Sequence, residues 1–118
     1  MFYLIIFSDA LHSINWIRIN ITSFTQILKK TKSVKYYASN NTLRWTYYLT
    51  ASFNVRPGIS SNYRTSSADV AIYNNSWSFV SEKHSGSGTI ATGTIIMSNG
   101  ANLSKTITIE CDKYGNFK

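Results

Sequence analysis

Thr42-Leu-Arg-Trp-Thr-Tyr-Tyr-Leu-Thr-Ala-Ser-Phe-Asn-Val-Arg56 alternates without a slip. Leu43, Trp45, Tyr47, Leu49, Ala51, Phe53 and Val55 are apolar or aromatic. Between them stand Thr42, Arg44, Thr46, Tyr48, Thr50, Ser52, Asn54 and Arg56, polar but for Tyr48. A period of two is the signature of a half-buried strand, because successive side chains point to opposite faces. One face of this strand is core and the other is wet. At ~3.3 Å per residue the stretch would run roughly 50 Å, far beyond an ordinary strand. The length predicts a bend, a bulge or a change of sheet near Ala51-Ser52.

The segments after it carry the same period. Arg56-Pro57-Gly58 is a strong turn signal. Ile59 to Arg64 reads as a short strand, and Ala68, Val70 and Ile72 mark another. Asn74-Asn75 turns the chain into a strand over about Ser76 to Lys83, carrying Trp77 and Phe79. Ser85-Gly-Ser-Gly88 reads as a hairpin turn. In the Thr/Ile-rich strand Thr89 to Ser98, Gly93 predicts a bulge or a close backbone approach. Asn99-Gly100 is the clearest hairpin signal present. Leu103, Ile107, Ile109 and Cys111 then share one parity, and Tyr114-Gly115-Asn116 closes the chain. Trp45, Phe53, Trp77 and Phe79 fall on apolar parities and read as core; Tyr36, Tyr37, Tyr48, Tyr63 and Tyr73 do not. Six to seven short strands separated by frequent turns predict a mainly β protein, a single antiparallel β-sandwich.

The N-terminal third is different. Tyr3, Phe7, Ala10, Ile14, Ile17, Ile21, Phe24 and Leu28 recur at spacings of three and four, an amphipathic helical stripe. Ile17-Arg-Ile-Asn-Ile-Thr22 alternates like a strand, so the two readings compete. The spacing favours a helix over about Ile14 to Leu28; a misplaced start is the other explanation. Lys29 to Lys35 is a basic run that reads as a solvated linker. The expected organisation is therefore an N-terminal segment over 1–35 and a β-sandwich domain over 36–118. Met1 to Phe7 lacks the basic flank and cleavage site of a secretory signal.

Charge sharpens the reading. Lys and Arg number 12 against 5 Asp and Glu, a net charge of +7. No acid lies between Asp9 and Asp69, an interval holding Arg18, Lys29, Lys30, Lys32, Lys35, Arg44, Arg56 and Arg64. Such a field favours anionic partners, although it also serves simple solubility. Catalytic chemistry is poorly provided for. His12 and His84 are far apart in sequence and Cys111 is alone, which argues against a metal centre and an intrachain disulfide. Glu110 and Asp112 read as a solvated edge. His84 has Ser85 and Ser87 beside it but no carboxylate positioned in the sequence to orient it. The reading is of a protein that is not an enzyme and needs no cofactor. On the wet parity of the long strand, Arg44, Tyr48 and Arg56, with Tyr73 beyond, are the candidate ligand-binding residues, since tyrosine and arginine stack on rings.

The C-terminal two-thirds resembles a family of small secreted proteins of Gram-positive bacteria. The likeness lies in Tyr47-Tyr48 before a Thr-Ala-Ser-Phe strand, Pro57-Gly58, Ile72-Tyr73-Asn74-Asn75-Ser76-Trp77 and Thr108-Ile109-Glu110-Cys111-Asp112-Lys113-Tyr114-Gly115-Asn116. It covers about Tyr36 to Lys118. It implies an exported compact β domain with no assigned activity or catalytic residues. Members carry a second cysteine near the position of Tyr63, which this chain lacks, so the disulfide the resemblance implies does not transfer. Three functional expectations follow: a secreted, non-enzymatic binding module at the cell envelope; a bacteriocin-like or membrane-active protein; or a basic binder of anionic wall polymer or, less favoured, nucleic acid.

Overall fold

The computed structural model describes residues 24–118. Six strands follow in order: β1 Gln26–Tyr37, β2 Leu43–Arg56, β3 Ser60–Ile72, β4 Ser78–Ser87, β5 Ile90–Ser98 and β6 Asn102–Glu110. They form two three-stranded antiparallel sheets, ordered β1-β2-β3 and β4-β5-β6. Each sheet is a meander, and the sheets face each other as a sandwich. The mainly β, antiparallel expectation is met with six strands, and no helix occurs among the described residues.

The alternation in the long strand becomes the two faces of β2, the middle strand of the first sheet. Trp45, Tyr47, Leu49, Ala51, Phe53 and Val55 are fully buried between the sheets. They meet Ala91, Ile95 and Met97 of β5 and Ile107 and Ile109 of β6 in one core. An aromatic cluster closes each end of β2. Tyr36 stacks on Trp45, with ring centroids 5.6 Å apart, and Trp77 meets both. At the other end Phe53 lies against Tyr63 and Phe117, at 6.2 and 6.1 Å. Tyr36 and Tyr63 thus belong with the core, contrary to the parity argument. Both sit on strands flanking β2, facing the same way as their partners. Phe79, expected inside, is 52% exposed because β4 is an edge strand.

β2 does not cross between sheets. Its ladder to β3 shifts between Ser52 and Phe53, with Arg64 as the extra residue on β3. The irregularity sits at the expected place, but the partner strand carries it. That extra residue joins the two segments read separately, around Ile59–Arg64 and Ala68–Ile72, into one β3 of 13 residues. Gly93 sits in an unbroken ladder to β6, so the close-approach alternative is the one realised. A Cβ there would collide with the Tyr47 hydroxyl and lie 3.0 Å from Leu49.

The N-terminal expectations need correction. Lys29–Lys35 is no linker; it is the middle of β1, paired with β2 along Ser52 to Thr46. The folded body therefore begins ahead of residue 36. Gln26–Leu28, the end of the expected helix, is strand, while the rest of that helix up to residue 23 lies outside the described residues. Pairing with a strongly patterned neighbour overrides a local helical stripe. Within β1 the lysines divide by parity. Lys29 and Lys35 face outward, while Lys30 and Lys32 share the inward parity of Leu28, Val34 and Tyr36. Lys32 spans the seam to β6, donating to the Thr108 carbonyl at 3.0 Å. Inward-pointing charges on an edge strand discourage pairing with another chain.

At the C-terminus Asp112 builds the expected turn. Its carboxylate accepts the amides of Tyr114 and Asn116, both at 2.9 Å. The Asn116 bond above all holds its carboxyl below the ordinary range. Gly115 adopts φ 87° there, in the left-handed region that favours glycine. Cys111 is buried and free, and burial pushes its thiol up.

Candidate functional site

Two regions gather chemically useful side chains. The first is the outer face of the sheet β1-β2-β3. Register places Lys29 beside Ser52 and Thr65, Thr31 beside Thr50 and Ser67, Ser33 beside Tyr48 and Asp69, and Lys35 beside Thr46 and Ala71. Small hydroxyl residues thus fill the middle of the face, and cations stand at its β1 side and along β2. Thr31 and Thr50 share a 2.7 Å hydroxyl contact. A shallow depression is lined by Lys29, Thr50, Ser52, Thr65, Ser66 and Ser67.

Tyr48 and Tyr73 come together here. The phenol of Tyr48 is pushed up, first by its hydrogen bond with Tyr73. Arg44 adjoins them, its carbonyl accepting the Tyr73 amide at 2.8 Å. Arg56 does not join this group. It shares the face but lies twelve residues along the strand from Arg44, about 40 Å at ~3.3 Å per residue. Its carbonyl instead holds the turn into β3, accepting the Ile59 amide at 2.8 Å. The four sequence candidates are therefore three neighbours at one end and one outlier at the other.

The second region lies where β4 passes over β3, and the sequence reading missed it. Glu82 and His84 are two apart on β4 and share its inward parity, so the imidazole and the carboxylate meet. His84 Nδ1 lies 2.9 Å from Glu82 Oε1 and 3.1 Å from Oε2. The expectation that His84 lacks a carboxylate to orient it is overturned. Spacing alone allowed the pair, since residues i and i+2 on a strand are same-face neighbours. The third member comes from the other sheet: the buried Tyr47 hydroxyl donates to Glu82 Oε2 at 2.6 Å. Burial, then this bond, raises the Tyr47 phenol far above its ordinary value. Gly93 on β5 leaves the space into which that hydroxyl projects. Ser85 falls on the opposite parity of β4, so a serine–histidine pair is not assembled there. Among the described residues, no three His, Cys, Asp or Glu side chains are grouped to hold a metal ion.

No family model matches the chain, and no curated protein matches it. The fold is similar to the crystal structure of a hypothetical protein, lmo2686, from Listeria monocytogenes EGD-e. The TM-score is 0.51 at 15% identity, over 80% of this chain and 78% of that one. The likeness concerns architecture and is consistent with an uncharacterised bacterial family.

Proposed function

We propose that this protein is a small exported, non-catalytic binding module that acts at the cell envelope. Its ligand is an anionic, phosphate-bearing polymer held against the outer face of β1-β2-β3. The observation that carries this reading is the composition of that face. Lys29, Lys35, Arg44 and Arg56 stand on it with rows of Ser and Thr between them and Asp69 as its acid. Cations at intervals along a flat sheet suit a repeating anion, and hydroxyls supply neutral hydrogen bonds to sugar or polyol. Tyr48 and Tyr73 add aromatic surface on which a ring can lie. Export rests on the resemblance of the C-terminal two-thirds to small secreted proteins.

The test is binding of poly(glycerol phosphate) across a salt series. Release of counterions by four cations predicts a slope of log K on log salt near −3, at roughly −0.7 per contact. A duplex DNA of equal charge should bind more weakly. Undetectable or salt-independent binding of the polymer contradicts the reading.

A second reading, of a bacteriocin-like or membrane-active protein, draws on one observation. Ile72, Tyr73, Phe79 and Val80 are 41–56% exposed around the β3–β4 corner, close to Arg44. Apolar side chains beside a cation suit an anionic bilayer surface. Dye leakage from phosphatidylglycerol vesicles at micromolar protein would favour it; intact vesicles and no growth inhibition of a Gram-positive indicator strain would remove it.

A further inference from the structure

The β3–β4 side of the sandwich is an open seam. Where Tyr63 meets the β4–β5 turn, its amide donates to the Gly88 carbonyl at 2.6 Å. Farther along, the strands carry no mutual ladder and a cavity of about 230 Å³ opens between them. Ala68 and Val70 of β3, Phe79 of β4 and the buried Ile95 of β5 give it apolar walls. Two carboxylates complete the lining. Glu82 lies inside, its side chain only 15% exposed. Asp69 stands on the β3 side, its Oδ1 accepting the Val70 amide at 2.8 Å.

This lining differs from the rest of the molecule. The chain is strongly basic, yet two of its few acids line this apolar hollow, Glu82 from between the sheets and Asp69 from the rim at the edge of β3, and no lysine or arginine lines it. Tyr47 and His84 hold the Glu82 carboxylate from the side of the core and along β4. An ionised carboxylate has about four lone-pair sites. Tyr47 and His84 leave acceptor capacity on Glu82, already oriented and mostly out of water. The Phe79 ring, half exposed at the same hollow, offers a π face of the kind that attracts cations. The volume is below the about 300–1,000 Å³ of pockets that take drug-sized ligands.

From these features we infer that the β3–β4 cavity is a binding site for a small organic ammonium. Its cationic head sits between Glu82 and Asp69, and its short apolar body lies against Ala68, Val70, Phe79 and Ile95. The carboxylates and the ring supply charge complementarity, and the apolar walls set the length of the body. Asp69 also belongs to the outer face of β1-β2-β3, whereas Glu82 lies between the sheets, so loss of butylammonium binding in Glu82→Gln with polymer binding retained distinguishes this site from the polymer-binding reading.

The test is a titration of the isotope-labelled protein with butylammonium, followed by amide chemical shifts, with 1-butanol as the neutral isostere. Saturable shifts at Ala68, Val70 and Phe79 are expected with the ammonium, and much weaker ones with the alcohol. Glu82→Gln, which keeps an acceptor for Tyr47, should weaken binding about tenfold or more. Equal response to both compounds, or unchanged affinity in a folded Glu82→Gln protein, overturns the inference. Should that variant fail to fold, Asp69→Asn decides. Its side chain is exposed, and it should bind butylammonium severalfold more weakly; unchanged affinity there also overturns the site, as does the absence of saturable shifts in the unaltered protein.

Discussion

The outer face of β2 and the seam beneath β4 are both polar, but they are assembled differently. On β2 the useful residues come from one strand and one parity, so Arg44, Tyr48 and Arg56 fall out of a simple alternation. At the seam Tyr47, Glu82, His84 and Gly93 come from β2, β4 and β5 and meet only when two sheets face each other. The first region is organised by spacing along one strand; the second is organised by packing between two sheets. A surface built on one strand tolerates substitution, whereas an inter-sheet cluster ties folding to chemistry.

The contrast is broken most severely at the inward face of β2. Trp45→Ala removes a fully buried indole from the Tyr36–Trp77 cluster and should cost about 3–5 kcal/mol by urea unfolding. A loss below about 1 kcal/mol would mean that this end of the sandwich is not packed as described. Next comes Gly93→Ala. Its methyl group would collide with the Tyr47 hydroxyl, so a destabilisation of about 1–3 kcal/mol is expected. Tyr47→Phe removes the colliding atom, so in its background the same glycine change should cost clearly less. Additive effects in that double-mutant cycle would contradict the contact.

Alkali reaches the same residue without mutation. The Tyr47 phenol is raised in the folded protein by burial and by Glu82. Its contribution is fully present below the unfolded tyrosine value of about 10 and is lost as pH rises from there toward the folded value. Above pH 10 this group alone should lower stability by up to about 1.4 kcal/mol per pH unit. Tyr47→Phe should flatten that part of the profile; an unchanged slope would place the alkaline loss elsewhere. The mildest probe reads the accessibility of Cys111 and leaves stability untouched until the thiol reacts. Its buried thiol should react with Ellman's reagent far more slowly in the native protein than in denaturant. Equal rates would show that the C-terminal turn does not cover it.

These differences also explain what the sequence revealed. β2, β5 and β6 announced themselves because strict alternation marks a half-buried strand and Asn99-Gly100 marks a hairpin, whereas Gly93 allowed two meanings and only the packing of Tyr47 against it chose between them. β1 did not, because Phe24 and Leu28 extend a helical stripe and its lysines resemble a linker. Its pairing with β2 is a tertiary fact. The division of those lysines between two faces, and Lys32 reaching Thr108, follow from that pairing. Arg44, Tyr48 and Tyr73 were legible as a group, but the separation of Arg56 followed only from the straight run of β2 within one sheet. The Glu82–His84 pair was within reach of a same-face rule; its link to Tyr47 was not, because nothing local says that β4 crosses over β3 at that height.

The claim that β2 divides structure from function between its two faces is tested most directly by one double variant, Arg44→Ser with Tyr48→Ser. Its melting temperature and its affinity for poly(glycerol phosphate) should be measured on the same sample. A melt within a few degrees of the unaltered protein and polymer binding at least about tenfold weaker are expected. A variant that stays folded and binds the polymer as well as the parent would contradict that claim.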